Sequence, residues 1–126
     1  MKAPRAAKST TLGGNQSKAH TALVRDIRLA LGDEPDLVLW PMQPGGVSDS
    51  TGRPIRTGPT GMADLCGVLA PQGRWFCLEV KTGAAQQTKG QRLWSQLVTD
   101  MGACYRVVRS VEEAQAALVA ARRGEA

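Results

Sequence analysis

Near the middle of the chain the run Arg74-Trp75-Phe76-Cys77-Leu78-Glu79-Val80-Lys81 closes a hydrophobic stretch on one acid and one base. In an extended strand, residues two apart share a face. Glu79 and Lys81 therefore project together, while Leu78 and Val80 project the other way. A second apolar run, Ala63 to Ala70, precedes it and carries Asp64 at its start. The connector Pro71-Gln72-Gly73 is short and made of turn formers, so the two runs are expected to pair as a hairpin. That pairing brings Asp64 and Glu79 to the same end of a sheet. Two carboxylates converging there repel unless a hard cation stands between them. Mg²⁺ takes oxygen ligands and is commonly held by one or two carboxylates plus phosphate oxygens. Lys81 would then stand beside it as a point charge for a phosphate or a nucleophilic water. A plain Glu79–Lys81 ion pair at a solvated strand end is the simpler alternative.

The elements that must position these residues can be read from periodicity. Ala19, Leu23, Ile27 and Leu31, joined by Ala22, Val24 and Ala30, recur at helical spacing, with Ser17 as N-cap and Gly32 as the stop. Asp36 to Met42 reads as a short strand. Pro44 to Gly61 is a Gly-, Pro-, Ser- and Thr-rich loop, long enough to be functional, whose charges include Arg53 and Arg56. Thr88 caps a helix running to about Met101, with Leu93, Trp94, Leu97 and Val98 on its apolar side, and Gly102 ends it. Tyr105 to Arg109 is a further strand. Ser110 opens a last helix through Val111, Ala114, Leu118 and Val119, with Glu113 completing a capping box. The expected fold class is α/β, in the order α-β-β-β-α-β-α, as a small mixed sheet flanked by helices.

Composition narrows the classes. A chain of 126 residues, 42% hydrophobic, suits one domain with its own core. Residues 1–16, carrying Lys2, Arg5 and Lys8 without periodicity, read as a flexible basic arm, and residues 17–122 as the domain. No apolar run reaches the roughly 20 residues of a membrane span, and the first residues lack the apolar core of a secretory signal. Sixteen Lys and Arg against 11 Asp and Glu give a net charge of +5, which makes a polyanionic partner plausible. Arg53, Arg56, Arg74, Lys89 and Arg92 are the candidate phosphate contacts. Cys66, Cys77 and Cys104 form no C-x-x-C, and with His20 the sole histidine there is no zinc constellation. The cysteines sit in apolar surroundings as small buried hydrophobes, so a reducing, cytoplasmic compartment is expected.

Taken in order, Gly58-Pro59-Thr60-Gly61-Met62-Ala63-Asp64, Leu78-Glu79-Val80-Lys81-Thr82-Gly83, Thr88-Lys89-Gly90-Gln91 and Gly102 leading to Val107-Val108-Arg109-Ser110 carry a resemblance. Between about Pro44 and Ala114 the chain resembles the VRR-NUC (virus-type replication-repair nuclease) branch of the PD-(D/E)XK nuclease superfamily. The resemblance implies a restriction-endonuclease-like core and a DNA endonuclease dependent on Mg²⁺ or Mn²⁺. It makes Asp64 and Glu79 the metal ligands, with the carbonyl of Val80 as a third. Lys81 becomes the catalytic lysine and Gln91 the family's glutamine beside the site. The phage-encoded members resemble Holliday-junction resolvases, implying branched DNA as substrate and a homodimer as the working form. One feature departs from the pattern: the family's first-helix glutamate is missing here. His20 lies nearest that position, and Asp26, beside Arg25, is the helix's only carboxylate. Imidazole is a poor ligand for Mg²⁺ but an acceptable one for Mn²⁺. The alternative reading is a catalytically impaired DNA-binding module on the nuclease scaffold.

Overall fold

A computed structural model of the chain describes residues 18–42, 49–53 and 61–126. The expected basic arm, the Ser17 cap and Arg56 lie outside the described residues. The first helix, α1, spans residues 18–31 and directs Ile27 and Leu31 into the core. Four strands follow, interrupted by one helix and closed by another: β1 (Leu37–Pro41), β2 (Leu65–Leu69), β3 (Arg74–Val80), α2 (Lys89–Asp100), β4 (Cys104–Val108) and α3 (Val111–Arg122). The architecture is a four-stranded mixed sheet flanked by helices, as the periodicities predict.

The sheet order is β1-β2-β3-β4. β1 and β2 pair antiparallel, as do β2 and β3, whereas β3 and β4 run parallel. Parallel neighbours cannot be joined by a hairpin, so α2 serves as the crossover. Gly73, at φ +75°, turns the chain between β2 and β3, as expected of Pro71-Gln72-Gly73. Gly67 lies where β1 crosses closely, since a Cβ there would stand 2.4 Å from the carbonyl oxygen of Val38.

Strand alternation sorts side chains onto two faces. Leu37, Leu65, Leu69, Phe76, Leu78, Val80, Cys104 and Val108 form one, packed by Ile27 and Leu31 of α1 and Ala114, Ala117, Leu118 and Ala121 of α3. Cys66, Cys77 and Tyr105 line the other, under Val98 of α2 with Trp40, Trp75 and Trp94 partly buried around them. All three cysteines are free and buried, as expected. Far from the carboxylate end, Arg122 of α3 bonds Asp36 at 2.8 Å and pairs with Glu34, tying the last helix to the α1–β1 turn. That hydrogen bonding holds the Asp36 carboxyl below the usual carboxylate range.

Two local expectations need correction. Ser110 does cap α3, accepting the Glu113 N–H at 3.1 Å, but the Glu113 carboxylate accepts the N–H of Arg109 rather than that of Ser110. The reciprocal capping box instead forms at α2. Leu93 and Leu97 share the apolar side of α2 with Trp94 and Val98, yet are 63% and 51% exposed. Periodicity identifies an apolar arc, not which part of it meets the core.

Candidate metal centre

The hairpin register carries the site. Leu65 pairs with Leu78, so the next residues outward, Asp64 and Glu79, fall opposite each other at the sheet's end. Asp64 sits in the bend before β2, where its Oδ2 accepts the Val80 N–H at 2.8 Å. The same oxygen stands 3.3 Å from Nε2 of His20, which reaches across from the start of α1. Glu79, at the end of β3, is only 3% exposed. Its Oε2 accepts from Nε2 of Gln91 at 2.9 Å and lies 3.3 Å from Nζ of Lys81. Its Oε1 is buried with no hydrogen-bond partner. Lys81 and Glu79 thus share a face, as strand alternation requires, and Lys81 Nζ also donates to Oε1 of Gln91 at 2.8 Å.

Gln91, which the resemblance implies beside the site, has two roles in the structure. Thr88-x-x-Gln91 is a capping box: Thr88 Oγ1 accepts the Gln91 N–H at 3.1 Å, and Gln91 Oε1 accepts the Thr88 N–H at 2.9 Å. One amide therefore closes the N-terminus of α2 and spans Glu79 and Lys81 at once. Its orientation follows from those partners, because only the oxygen can accept from Lys81 and only the nitrogen can donate to Glu79. The turn leading to Asp64 is pressed against the same helix end. Gly61, at φ +88°, lies where a Cβ would stand 2.3 Å from the Gly90 carbonyl oxygen, and the Tyr105 hydroxyl donates to the Gly61 carbonyl at 3.4 Å. Arg109 is another residue whose part is visible only in three dimensions. Its guanidinium donates to the carbonyls of Gly83 and Ala85, fixing the segment that follows Lys81.

The electrostatics of the pair follow from its burial. Burial, reinforced by the negative charge of Asp64, pushes the Glu79 carboxyl up to about 8 against the opposing pull of Lys81. A carboxyl with a raised folded-state pKa contributes stability that is full below its ordinary value of 4.5 and is lost as pH rises through about 8. Metal-free protein should therefore lose on the order of a few kcal/mol between those limits through this group. Gln cannot ionise, so Glu79→Gln should remove that slope and leave the variant more stable than wild type at pH 8. Thermal denaturation across pH 5–9 checks this, and parallel curves for the two proteins would contradict it.

The residues present fit a divalent cation, which would offset the paired carboxylates and would give the unpartnered Glu79 oxygen a ligand role. Among the described residues no three His, Cys, Asp or Glu side chains form a ready-made cage. Asp64 and Glu79 therefore suit an ion that draws its remaining ligands from backbone carbonyl, water or phosphate oxygens, as Mg²⁺ does. His20 contributes a nitrogen only beside Asp64, at 3.3 Å from its Oδ2, and does not complete a three-ligand cluster with Glu79. Asp26 is not brought there; it is exposed and pairs with Arg25 at 3.5 Å.

The candidate phosphate contacts separate. Arg92 is exposed on the first turn of α2, next to Gln91, with one guanidinium nitrogen on the Gln87 carbonyl. Lys89 is exposed on the same turn, and Arg53 is exposed in the segment after β1. Arg74 is not brought to the site. It begins β3, at the opposite end of the strand from Glu79, and its guanidinium donates to the carbonyls of Gly102 and Ala121.

No protein-family model matches the chain, and no curated protein matches it. A solved structure described as "VRR_NUC domain" is similar in fold, with a TM-score of 0.53 and 19% sequence identity, covering 80% of this chain and 95% of that one. The fold is therefore that of a VRR_NUC domain. Among the described residues, no helix is long and apolar enough to cross a membrane.

Proposed function

We propose that this chain is a divalent-metal-dependent endonuclease that hydrolyses phosphodiester bonds in DNA, selects branched or junction structure, and works as a homodimer. The observation that carries this reading is the buried, unpartnered Oε1 of Glu79, on a carboxylate whose Oε2 meets Lys81 and Gln91 and which lies across the hairpin from Asp64. The similarity of fold to a VRR_NUC domain supports the same reading.

Asp64 and Glu79, with the Val80 carbonyl, would hold Mg²⁺ or Mn²⁺. When bound, such an ion polarises a phosphoryl oxygen and acidifies water. The chain's own groups do the rest. Lys81 presents its ammonium to the phosphate, offsetting charge as the phosphorus becomes more crowded with negative oxygens. Gln91 fixes the distance between that ammonium and the Glu79 carboxylate. Arg92 and Arg53 bind the flanking backbone, with Arg56 and the basic residues 1–16 adding charge. Such contacts give affinity but little sequence discrimination, which favours selection by DNA shape.

A panel of labelled four-way junctions, flaps, nicked and linear duplexes, each incubated with Mg²⁺ and with Mn²⁺, tests the reading. Metal-dependent cleavage that prefers branched substrates supports it. No cleavage of any substrate with either ion would overturn it. Affinity should also fall linearly with salt on logarithmic axes, and deleting residues 1–16 should flatten that slope. Unchanged binding by the truncated chain would remove the arm from the account. His20 favours one second reading, a DNA-binding module without turnover, because a histidine contacts Asp64 near the position where the resemblance implies a glutamate. That module binds the panel but cuts nothing.

A further inference from the structure

The apolar arc of α2 is only half used. Trp94 and Val98 pack on the sheet, but Leu93, Leu97 and Met101, one turn apart along the neighbouring flank, stand exposed, Met101 at 81%. Among the described residues, no element lies over the sheet face beneath α2 toward its β1 edge. Val38 and Val68, paired directly across β1 and β2, are both exposed on the side that carries Trp40 and Trp75. The β3–α2–β4 crossover joins parallel neighbours, and the right-handed sense that such connections take turns the Leu93–Leu97–Met101 flank toward β2 and β1. Monomers rarely leave contiguous apolar patches beyond about 300–600 Å². Among the described residues β1, Leu37-Val38-Leu39-Trp40-Pro41, is an edge strand without a charged residue, limited only by Pro41 at its end.

Charge on α2 points to the occupant. Its first turn holds Lys89 and Arg92 and no acid, and its last turn holds Asp100 and no base. That is the reverse of what the helix's own dipole favours. It is what an antiparallel copy of the same helix requires. With a two-fold axis at Ser95, Leu93 of one copy meets Leu97 of the other. Lys89 then comes level with the last turn of the second copy, beside Asp100, which Gln96 already braces at 2.8 Å. The patch itself carries no lysine or arginine, so it is a poor surface for nucleic acid.

We propose that the Leu93–Leu97–Met101 flank of α2 is the seam of a symmetric dimer, packed antiparallel on the same helix of a second copy and bordered by reciprocal Lys89–Asp100 pairs. The exposed half of the β1–β2 face beside the seam, with Trp40 and Trp75, extends the contact toward the roughly 800 Å² per partner that stable dimers need. This deepens the homodimer part of the proposed function and is independent of whether the chain cuts DNA. It also gives Lys89 a partner other than phosphate.

Sedimentation velocity of the full chain across a concentration series tests it, without DNA or metal. Wild type should sediment as a dimer. Leu97→Glu, which places a charge in the seam, should raise the dimer dissociation constant at least about 30-fold while circular dichroism stays unchanged. Lys89→Asp alone should weaken the dimer, and Lys89→Asp combined with Asp100→Lys should restore it. A dimeric wild type whose affinity is indifferent to Leu97→Glu and to the charge swap would place the interface elsewhere and overturn the proposal. A monomeric wild type would overturn it together with the homodimer reading, leaving the nuclease reading to its own assay. Loss of DNA binding by Leu97→Glu from a monomeric wild type would make the patch a nucleobase platform instead.

Discussion

Asp64→Asn and Glu79→Gln should each lower single-turnover cleavage of a branched DNA by more than about 100-fold, with the fold retained. The expectation follows from what each substitution removes. Asn keeps the shape of Asp64 and can still accept the Val80 N–H, so the bend before β2 has no reason to open. Gln keeps the shape of Glu79 and relieves the burden of a buried, partly repelled carboxyl. Stability is therefore kept or raised while the negative charge that would hold a divalent cation is lost. A destabilised enzyme and a disabled one are thus separable by melting temperature. Full cleavage by both variants would remove the proposed site altogether.

Lys81 should show a different signature. Lys81→Ala is expected to reduce kcat by about 100-fold or more with little change in substrate affinity, because its ammonium is proposed to act mainly as charge develops in the transition state. Lys81→Arg should rescue poorly. Nζ sits between Glu79 Oε2 at 3.3 Å and Gln91 Oε1 at 2.8 Å, a spacing suited to a compact ammonium, whereas guanidinium is a broad planar fork. A DNA-binding module without turnover predicts the reverse, with no cleavage in any variant and affinity fully restored by Arg. Binding and single-turnover rates for wild type, Lys81→Ala and Lys81→Arg on one junction separate these outcomes. Equal cleavage by all three would eliminate the catalytic role of Lys81.

The geometry that brings Asp64 to Glu79 was legible because it needed only local information. A turn-forming tripeptide between two short apolar runs sets the hairpin register, and alternation then fixes which side chains share a face. Lys81 followed from the same rule. Residues whose roles depend on non-local packing were harder. The Thr88-x-x-Gln91 pattern announces a helix start, but not that the Gln91 amide would also reach Glu79 and Lys81 from another element. Arg74 was grouped with the phosphate contacts on charge alone. Its position at the start of β3 puts it roughly 17 Å of strand from Glu79, and the carbonyls of Gly102 and Ala121 occupy it. Of the two first-helix candidates, His20 lies nearest the missing glutamate's position in the sequence, and Asp26, beside Arg25, reads as part of a solvated face. On α1, His20 lies 3.3 Å from Asp64, whereas Asp26 is exposed and pairs with Arg25.

The central claim is that Asp64 and Glu79 hold a divalent cation, and it can be measured without any substrate. Isothermal titration of Mn²⁺ into wild type, Asp64→Asn and Glu79→Gln, in metal-free buffer at pH 7.5, reads it directly. The account predicts saturable binding to wild type, with proton release as Glu79 ionises, and loss of that binding in both variants. Absence of saturable binding to wild type, or the same affinity in all three proteins, would contradict it.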